Sequence, residues 1–365
     1  MSGAEPRVGA IELYRLRLPL RVAYRLSFGT VTDFELFLAR VQVEAEWGMG
    51  ESVPLPVYSS ETAESVWAGL RESARALAER SAREALHALE RSRERRPFAT
   101  APLMTALETA LEPPVPSEDL AVPLLGTVLS HDEDRSAEEI EALLEAGYRT
   151  LKIKVGFDVA ADARWVARVQ ELVAGRAQIR VDANQGYSFE AAREFVGRVE
   201  PEGIEVFEQP FEPGEWEAMA RLAARSPLPL MLDESIATAA DLERLIELRC
   251  AGTVKFKLAK AGGFAALERL IGRAREAGLE VVLGNGVAGD VGNLHELLVA
   301  ARMIDTAGEM NGFLKPVTRL LGNPYRVEGG SAGLPAGYAA DVDWERVEGH
   351  AVDQMTLAAP GPVVA

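Results

Sequence analysis

Two short apolar stretches of this chain carry lysines two residues apart: "LKIKVG", with Lys152 and Lys154, and "TVKFKLAKAGG", with Lys255 and Lys257. Lysine is among the residues least often buried without a partner, so apolar runs holding two each need a chemical reason. Between them lie three more apolar runs, each closing on an acid: "QIRVDAN" on Asp182, "IEVFEQP" on Glu208, and "LPLMLDES" on Asp233 with Glu234 beside it. Any one such acid reads equally well as a helix N-cap or a solvated loop charge. Five consecutive runs, each ending in a charge, point instead to a shared site. Three carboxylates converging on one point repel one another and raise one another's pKa values. A hard divalent cation removes that conflict, and the all-oxygen set Asp182, Glu208 and Asp233 suits Mg²⁺, with Mn²⁺ as a substitute. Zinc is disfavoured, because His87, His131, His295 and His350 do not fall at these run ends.

A cation that polarises a carboxylate, with an amine on each face, is a device for removing the α-proton of that carboxylate and stabilising the resulting enediolate. Lys154 and Lys257 are the candidate acid/base residues. Two opposed amines allow removal from one face and return on the other; equally, one acts as base while its partner stabilises charge as a cation. Lys152 and Lys255 share the faces of Lys154 and Lys257 by the period of two and lie deeper. Lys152 reads as an electrostatic crowd for Lys154, lowering its pKa. Lys255 reads either as a supporting charge or as an outward residue with a snorkelling side chain, and Lys260 as touching either substrate or solvent.

Such residues need a scaffold that brings strand ends together. From residue 119 onward, eight apolar runs ("VPLLGTVL", "TLKIKV", "QIRVDAN", "IEVFEQP", "LPLMLDES", "TVKFKLAK", "EVVLGNG", "RMIDTAGEM") recur at intervals of about 25 residues, with amphipathic helical segments between them. Strand and helix alternating eight times is the pattern of a (β/α)₈ barrel, whose active site lies at the C-terminal strand ends. Runs two and six are then diametrically opposite. An open doubly wound sheet is the runner-up, weakened by the lack of a GxGxxG loop. The first 118 residues read differently: "IELYRLRLPL" and "FELFLARVQVEAEWGMGES" alternate as antiparallel strands, and an Ala-, Glu- and Arg-rich helical region follows to about Leu111. The proline-rich "EPPVPSEDLAVP" marks the boundary. The expected organisation is an α+β capping domain over 1–118, a TIM-type barrel over 119–322, and a segment over 323–365 that returns to the capping domain.

The same motifs resemble the enolase superfamily, and within it the muconate lactonizing enzyme (muconate cycloisomerase) subgroup. The KxK at Lys152 and Lys154, "DAN" at Asp182, "EQP" at Glu208, "DES" at Asp233 and "KLAKAGG" from Lys257 match in order and spacing. The resemblance implies Mg²⁺ ligation by Asp182, Glu208 and Asp233, acid/base catalysis by Lys154 and Lys257, and supporting roles for Lys152, Asn184, Glu234 and Glu309. It also implies a capping domain whose loops "RLSFGTVTDF" and "PLPVYSS" set specificity, and a homo-oligomer. The mandelate racemase subgroup is disfavoured because "VVLGNGVAGDVGN" lacks a histidine, and enolase itself by the lysine on the second run. Dipeptide epimerases carry an Asp-x-Asp motif after the eighth strand, where this chain has "GEMNG" around Glu309, a feature closer to cycloisomerases. N-acylamino acid racemases and o-succinylbenzoate synthases share the lysine pair and acidic triad. The expected activity is a racemase or epimerase of an N-acyl amino acid or dipeptide, with a dehydratase or cycloisomerase as the alternative. A Schiff-base aldolase on Lys257 and an inactive metal-binding barrel stay in view. "LGNGVAGDVGN" has a further reading as a phosphate loop, and "WGMGES" as a tight turn.

A formal net charge of −17 argues against a nucleic-acid or anionic-membrane partner and fits small-molecule or metal ligands better. The single cysteine, Cys250, excludes an intrachain disulfide, and no apolar run approaches the roughly 20 residues of a membrane span. The cytoplasm is the expected compartment.

Overall fold

The computed structural model describes residues 5–26, 29–55, 60–78 and 80–358. The expected specificity loops around residues 27–28 and 56–59 lie outside the described residues. The N-terminal part is an antiparallel sheet of β1 (Val8–Leu26), β2 (Gly29–Val43) and β3 (Glu46–Ser52), followed by helices α1 (Ala63–Leu77), α2 (Ala82–Glu90) and α3 (Pro97–Leu111). Alternation along the strands gives the sheet two buried faces. Leu16, Leu18, Phe34, Leu36 and Leu38 join the barrel's core, while Leu13, Phe37, Ala39 and Val41 pack with Val66, Trp67, Leu70 and Leu103 of the helices. The turn between β2 and β3 is made at Glu44, whose φ of 55° is left-handed. The glycines of "WGMGES" therefore do not make that turn. They lie inside β3, where a Cβ at Gly48 or Gly50 would overlap the backbone carbonyls of Ala106 or Pro102, and their bareness lets α3 lie directly on the strand.

Beyond the prolines, β4 (Leu120–Pro123) leads into β5 (Gly126–Thr127), α4 (Glu133–Glu145), β6 (Thr150–Lys154), α5 (Val159–Val173), β7 (Gln178–Asp182), α6 (Phe189–Val196), β8 (Ile204–Glu208) and α7 (Trp216–Ala223). The series continues with β9 (Leu230–Leu232), α8 (Ala239–Leu248), β10 (Thr253–Phe256), the short α9 (Leu258–Ala261), α10 (Phe264–Glu276), β11 (Glu280–Leu283) and α11 (Asp290–Met303). Strands β5 to β11 form one curled parallel sheet in sequence order. The eighth run forms no extended strand: Arg302 and Met303 finish α11, and only Gly308 bridges Leu124 in parallel. That bridge still closes the ring. Gly308 N donates to Pro123 O, Leu125 N donates to Gly308 O, and Glu309 N donates to Leu283 O at the end of β11, at 2.9, 2.9 and 3.0 Å.

The remaining chain forms β12 (Arg326–Glu328) and β13 (Ser331–Leu334), which pair with each other, and β13 pairs in turn with β4. Helix α12 (Trp344–His350) and β14 (Ala351–Leu357) follow, and β14 pairs antiparallel with β1, from Ile11 opposite Leu357 to Leu16 opposite Ala351. No described helix is long and apolar enough to cross a membrane.

Four of the strand-to-helix loops end in a residue whose side chain caps the next helix: Asp132, Asp158, Ser188 and Thr238. Helices α10 and α11 begin instead at Gly263 and Gly289, which have no side chain to cap with. The N-terminal domain supplies the missing acceptors. Glu108 of α3 accepts from Phe264 N and Ala265 N at 2.7 and 3.0 Å. Glu51 of β3 accepts from Gly289 N, Val291 N and Gly292 N at 2.6, 3.1 and 3.1 Å. The donors that the glycine-rich "LGNGVAGDVGN" would offer a phosphate are thus taken by a protein carboxylate.

Candidate active site

Each charged run end reaches the same mouth because every barrel strand points its last inward residue there. Lys154 ends β6, Asp182 ends β7, Glu208 ends β8, Asp233 follows β9, and Lys257 follows β10. In the strand order, β6 and β10 are four apart in an eight-membered ring, so the two lysines stand on opposite sides with the acids on the strands between. Lys154 Nζ donates to Asp182 Oδ2 at 2.6 Å, and Lys257 Nζ donates to Asp233 Oδ1. Lys257 is 2% exposed and Lys154 is 29% exposed, which leaves Lys154 the amine more open to the mouth.

Two residues back along β6 and β10, Lys152 and Lys255 also point inward. Lys152 Nζ lies 2.7 Å from Asp182 Oδ2, 2.9 Å from Glu208 Oε2 and 3.0 Å from Glu309 Oε2. It shares an acceptor oxygen with Lys154, which puts the two ammonium groups side by side. Lys255 Nζ lies 3.1 Å from both Glu208 Oε1 and Asp233 Oδ2 and also contacts Glu309 Oε2. The outward reading of Lys255 does not hold, since its side chain is 3% exposed. Lys260 Nζ sits 3.5 Å from the carbonyl of Asp233, turned toward the same cluster.

Burial opposes every charge here, and the balance of neighbours decides the outcome. Against burial, Lys152, Lys154 and Lys255 bring the Asp182 carboxyl down to about 2. Asp233 is held well below the usual carboxylate range by Lys255 and Lys257, and Glu309 by Lys152 and Lys255, again despite burial. The Lys152 ammonium is likewise buried, yet Asp182, Glu208 and Glu309 hold its pKa above the ordinary lysine value. Glu208 moves up, through burial and the charge of Asp182. Burial and Asp233 push Glu234 up to about 7, while burial and Lys257 bring Lys260 down to about 8.

Asn184 and Glu234 meet at the rim, with Asn184 Nδ2 donating to Glu234 Oε1 at 2.5 Å and Asn184 N to Asp182 Oδ1 at 2.8 Å. Asn184, Gln185 and Gln209 hold left-handed φ values of 46°, 69° and 40°, a concentration of backbone strain at the mouth. Gln209 is a site residue that motif reasoning passed over, although it stands inside "EQP". Its Oε1 accepts from Asp233 N and Ser235 N at 3.0 and 3.1 Å and so sets the loop that presents Asp233. Glu296 of α11 is another: buried, it accepts from Leu258 N at 2.9 Å, directly after Lys257, and burial pushes its carboxyl up to about 7. Gly284 closes β11 with φ of +133°, and a Cβ there would strike the backbone of Glu309. That glycine lets the eighth segment approach closely enough to put Glu309 against the two inner lysines.

This lysine and acid arrangement on a curled parallel sheet coincides with a known protein family, whose model, described as enolase C-terminal domain-like, matches residues 135–346. The chain belongs to the enolase C-terminal domain-like family. It is an enzyme of the enolase superfamily, related to racemases, epimerases and cycloisomerases. An N-succinyl-L-Arg/Lys racemase from Bacillus cereus is 28% identical over 87% of this chain and 90% of its own. The crystal structure of that racemase superposes with a TM-score of 0.87, at 25% identity, over 96% of this chain and 100% of the other. A chloromuconate cycloisomerase from Pseudomonas putida is 27% identical over 81% of this chain and 85% of its own. A dipeptide epimerase from Cytophaga hutchinsonii, complexed with Mg and D-Ala-L-Val, shares the fold at a TM-score of 0.85 and 20% identity, over 96% of this chain and 99% of that one.

That epimerase was solved with Mg, and the donor chemistry here fits such an ion on its own terms. Asp182, Glu208 and Asp233 offer only oxygen, from neighbouring strands, and the buried Glu208 Oε2 makes no hydrogen bond beyond its ion pair with Lys152 at 2.9 Å. Among the described residues no three His, Cys, Asp or Glu side chains stand ready as a metal cage. The acidic oxygens are instead linked in pairs by ammonium groups, Asp182 to Glu208 through Lys152 and Glu208 to Asp233 through Lys255.

Proposed function

We propose that this enzyme abstracts the α-proton of a small carboxylate substrate in a Mg²⁺-dependent reaction, with Mn²⁺ as a substitute, and that its net reaction is racemisation or epimerisation of an N-acyl amino acid or dipeptide. The observation that carries the reading is the pair of lysines at the mouth ends of β6 and β10, on opposite sides of three acidic strand ends. Held by Asp182, Glu208 and Asp233, the cation would neutralise the second negative charge that a carboxylate acquires when its α-carbon loses a proton. The protein side chains do the proton work. An unprotonated amine, Lys154 Nζ or Lys257 Nζ, takes the α-proton from one face, and the opposite ammonium returns a proton to the same carbon. Each amine is aimed by the carboxylate it touches, Asp182 for Lys154 and Asp233 for Lys257. Asn184 and Glu234 brace the rim through their mutual hydrogen bond, and Lys152, itself paired with Glu309, holds Asp182 and Glu208 from below.

The racemase and epimerase relatives support this reading. Glu309, standing where dipeptide epimerases carry an Asp-x-Asp motif, together with the cycloisomerase relative, favours a second one: the same proton transfer used for ring closure or elimination. Proton NMR in D₂O with Mg²⁺ and a panel of N-succinyl amino acids, dipeptides and succinylbenzoate precursors tests both. The expected result is α-proton exchange that EDTA abolishes and that Lys154→Ala and Lys257→Ala each slow by roughly 10²- to 10⁴-fold. A product with a new ring or double bond selects the second reading. The chemistry is wrong if no panel member exchanges and neither lysine substitution alters any turnover that wider screening finds.

A further inference from the structure

Proton transfer of this kind employs two lysines, yet four point into the barrel, and Lys255 makes contacts that no proton relay requires. Its ammonium touches Glu208 and Asp233, two of the three candidate metal ligands, and Glu309, which is not one of the three. Glu309 in turn is held against Lys255 by the closing segment that Gly284 admits. Glu208, Asp233 and Lys255 are buried and the Glu309 side chain is 13% exposed, so their charges act with little solvent screening. Around the mouth, Lys152, Lys154, Lys255 and Lys257 face Asp182, Glu208, Asp233 and Glu309, four charges of each sign.

We propose that Lys255 is an internal counter-ion that competes with the divalent cation for Glu208 and Asp233, and that Glu309 tempers this competition by drawing the Lys255 ammonium toward itself. Lys255 and Glu309 are thus positioning residues that set metal affinity, an inference that rests on the metal-dependent reading above. An ammonium bridging two carboxylates neutralises them while no metal is bound. A cation entering the same oxygens must loosen those contacts, and Glu309 remains beside the displaced ammonium as its counter-charge.

The measurement is direct binding, by calorimetric titration of Mg²⁺ and by electron paramagnetic resonance titration of Mn²⁺, into EDTA-stripped protein without substrate. Lys255→Gln and Lys255→Met are expected to bind Mg²⁺ about tenfold or more tightly than the unsubstituted protein, because one buried positive charge has been removed from beside the ligands. Glu309→Gln is expected to bind about tenfold more weakly, and the double variant Lys255→Gln with Glu309→Gln to bind nearly as tightly as Lys255→Gln alone, because Glu309 acts through Lys255. Melting curves give a second readout: the stripped Lys255 variants melt lower than the stripped parent and gain more from added Mg²⁺. Should Lys255→Met not fold without metal, Lys255→Gln and Glu309→Gln still make opposite predictions for affinity. Parent protein that binds Mg²⁺ while Lys255→Gln binds it equally or more weakly overturns this inference alone. Parent and Lys255→Gln both failing to bind at millimolar Mg²⁺ overturns the metal-dependent reading and this inference together. Binding by Lys255→Gln alone supports it.

Discussion

At the scale of single residues, the molecule holds several ionisable groups where solvent cannot reach them, and His295 gives the cleanest test. Its ring is 4% exposed and packs on Phe264 at 5.1 Å between centroids, and its Nδ1 has no hydrogen-bond partner. Burial brings its pKa down to about 4 from the ordinary 6.5. The unfolded chain therefore takes up a proton first as pH falls, so the contribution of the neutral ring is whole above pH 6.5 and is lost progressively toward pH 4. His295→Leu keeps the bulk and removes the proton site. Chemical denaturation at pH 7 and pH 4.5 is expected to show the substituted protein losing about 2–3 kcal/mol less than the parent over that interval; equal losses would disprove the assignment. The strand-end charges at Lys154, Asp182, Glu208, Asp233 and Lys257 were legible in the sequence because a two-residue period and a strand count fix both face and depth. The direction of Lys255 was not, since the period gives its face while its partner Glu309 lies 54 residues away. Glu51, Glu108 and Glu296 were illegible for a related reason: they bind backbone N–H groups, which leave no mark on residue type.

At the scale of elements, two barrel helices begin without side-chain caps of their own and depend on carboxylates from another layer of the molecule. Glu108→Gln keeps one acceptor oxygen but loses the charge that satisfies Phe264 N and Ala265 N at the start of α10. The expected cost is about 1–2 kcal/mol, measured as a shift in urea midpoint with unchanged slope. Hydrogen exchange in the first turn of α10 should quicken beyond that global loss, whereas a purely global effect would leave the exchange pattern unaltered. The alternation of strand and helix was readable throughout the barrel because apolar runs and amphipathic segments differ in period. The first and eighth members were misjudged in extent. "VPLLGTVL" divides its hydrogen bonds between the outer sheet at β4 and two residues of β5, and "RMIDTAGEM" gives its start to α11 and closes the ring through one bridge. An apolar run reports burial, and burial against a closing ring looks the same in sequence whether or not a full ladder forms.

At the scale of the whole molecule, the four-stranded sheet is shared between the two ends of the described chain. Removing residues 351–365 strips β14 from β1, leaving the main-chain groups from Ile11 to Leu16 as an open edge and Trp67 without its acceptor, Asp353, which now lies 2.7 Å from the indole nitrogen. The shortened protein is expected to melt lower and to form aggregates by light scattering that the intact chain does not, as bare strand edges do. Asp353→Ala, which leaves β14 in place, should cost only the roughly 1–2 kcal/mol of one buried donor left unmet. Large equal losses from both changes would mean that the indole contact, rather than the strand, holds the sheet. The pairing of β14 with β1 also has a meaning during biosynthesis. Strand β1 is made before the barrel and waits, one edge unmet, while the ribosome adds the barrel; its partner emerges after it. The sheet that packs against the barrel is therefore finished after the barrel strands have been synthesised, and a nascent chain stalled anywhere before residue 351 carries an adhesive edge that a holding chaperone would recognise.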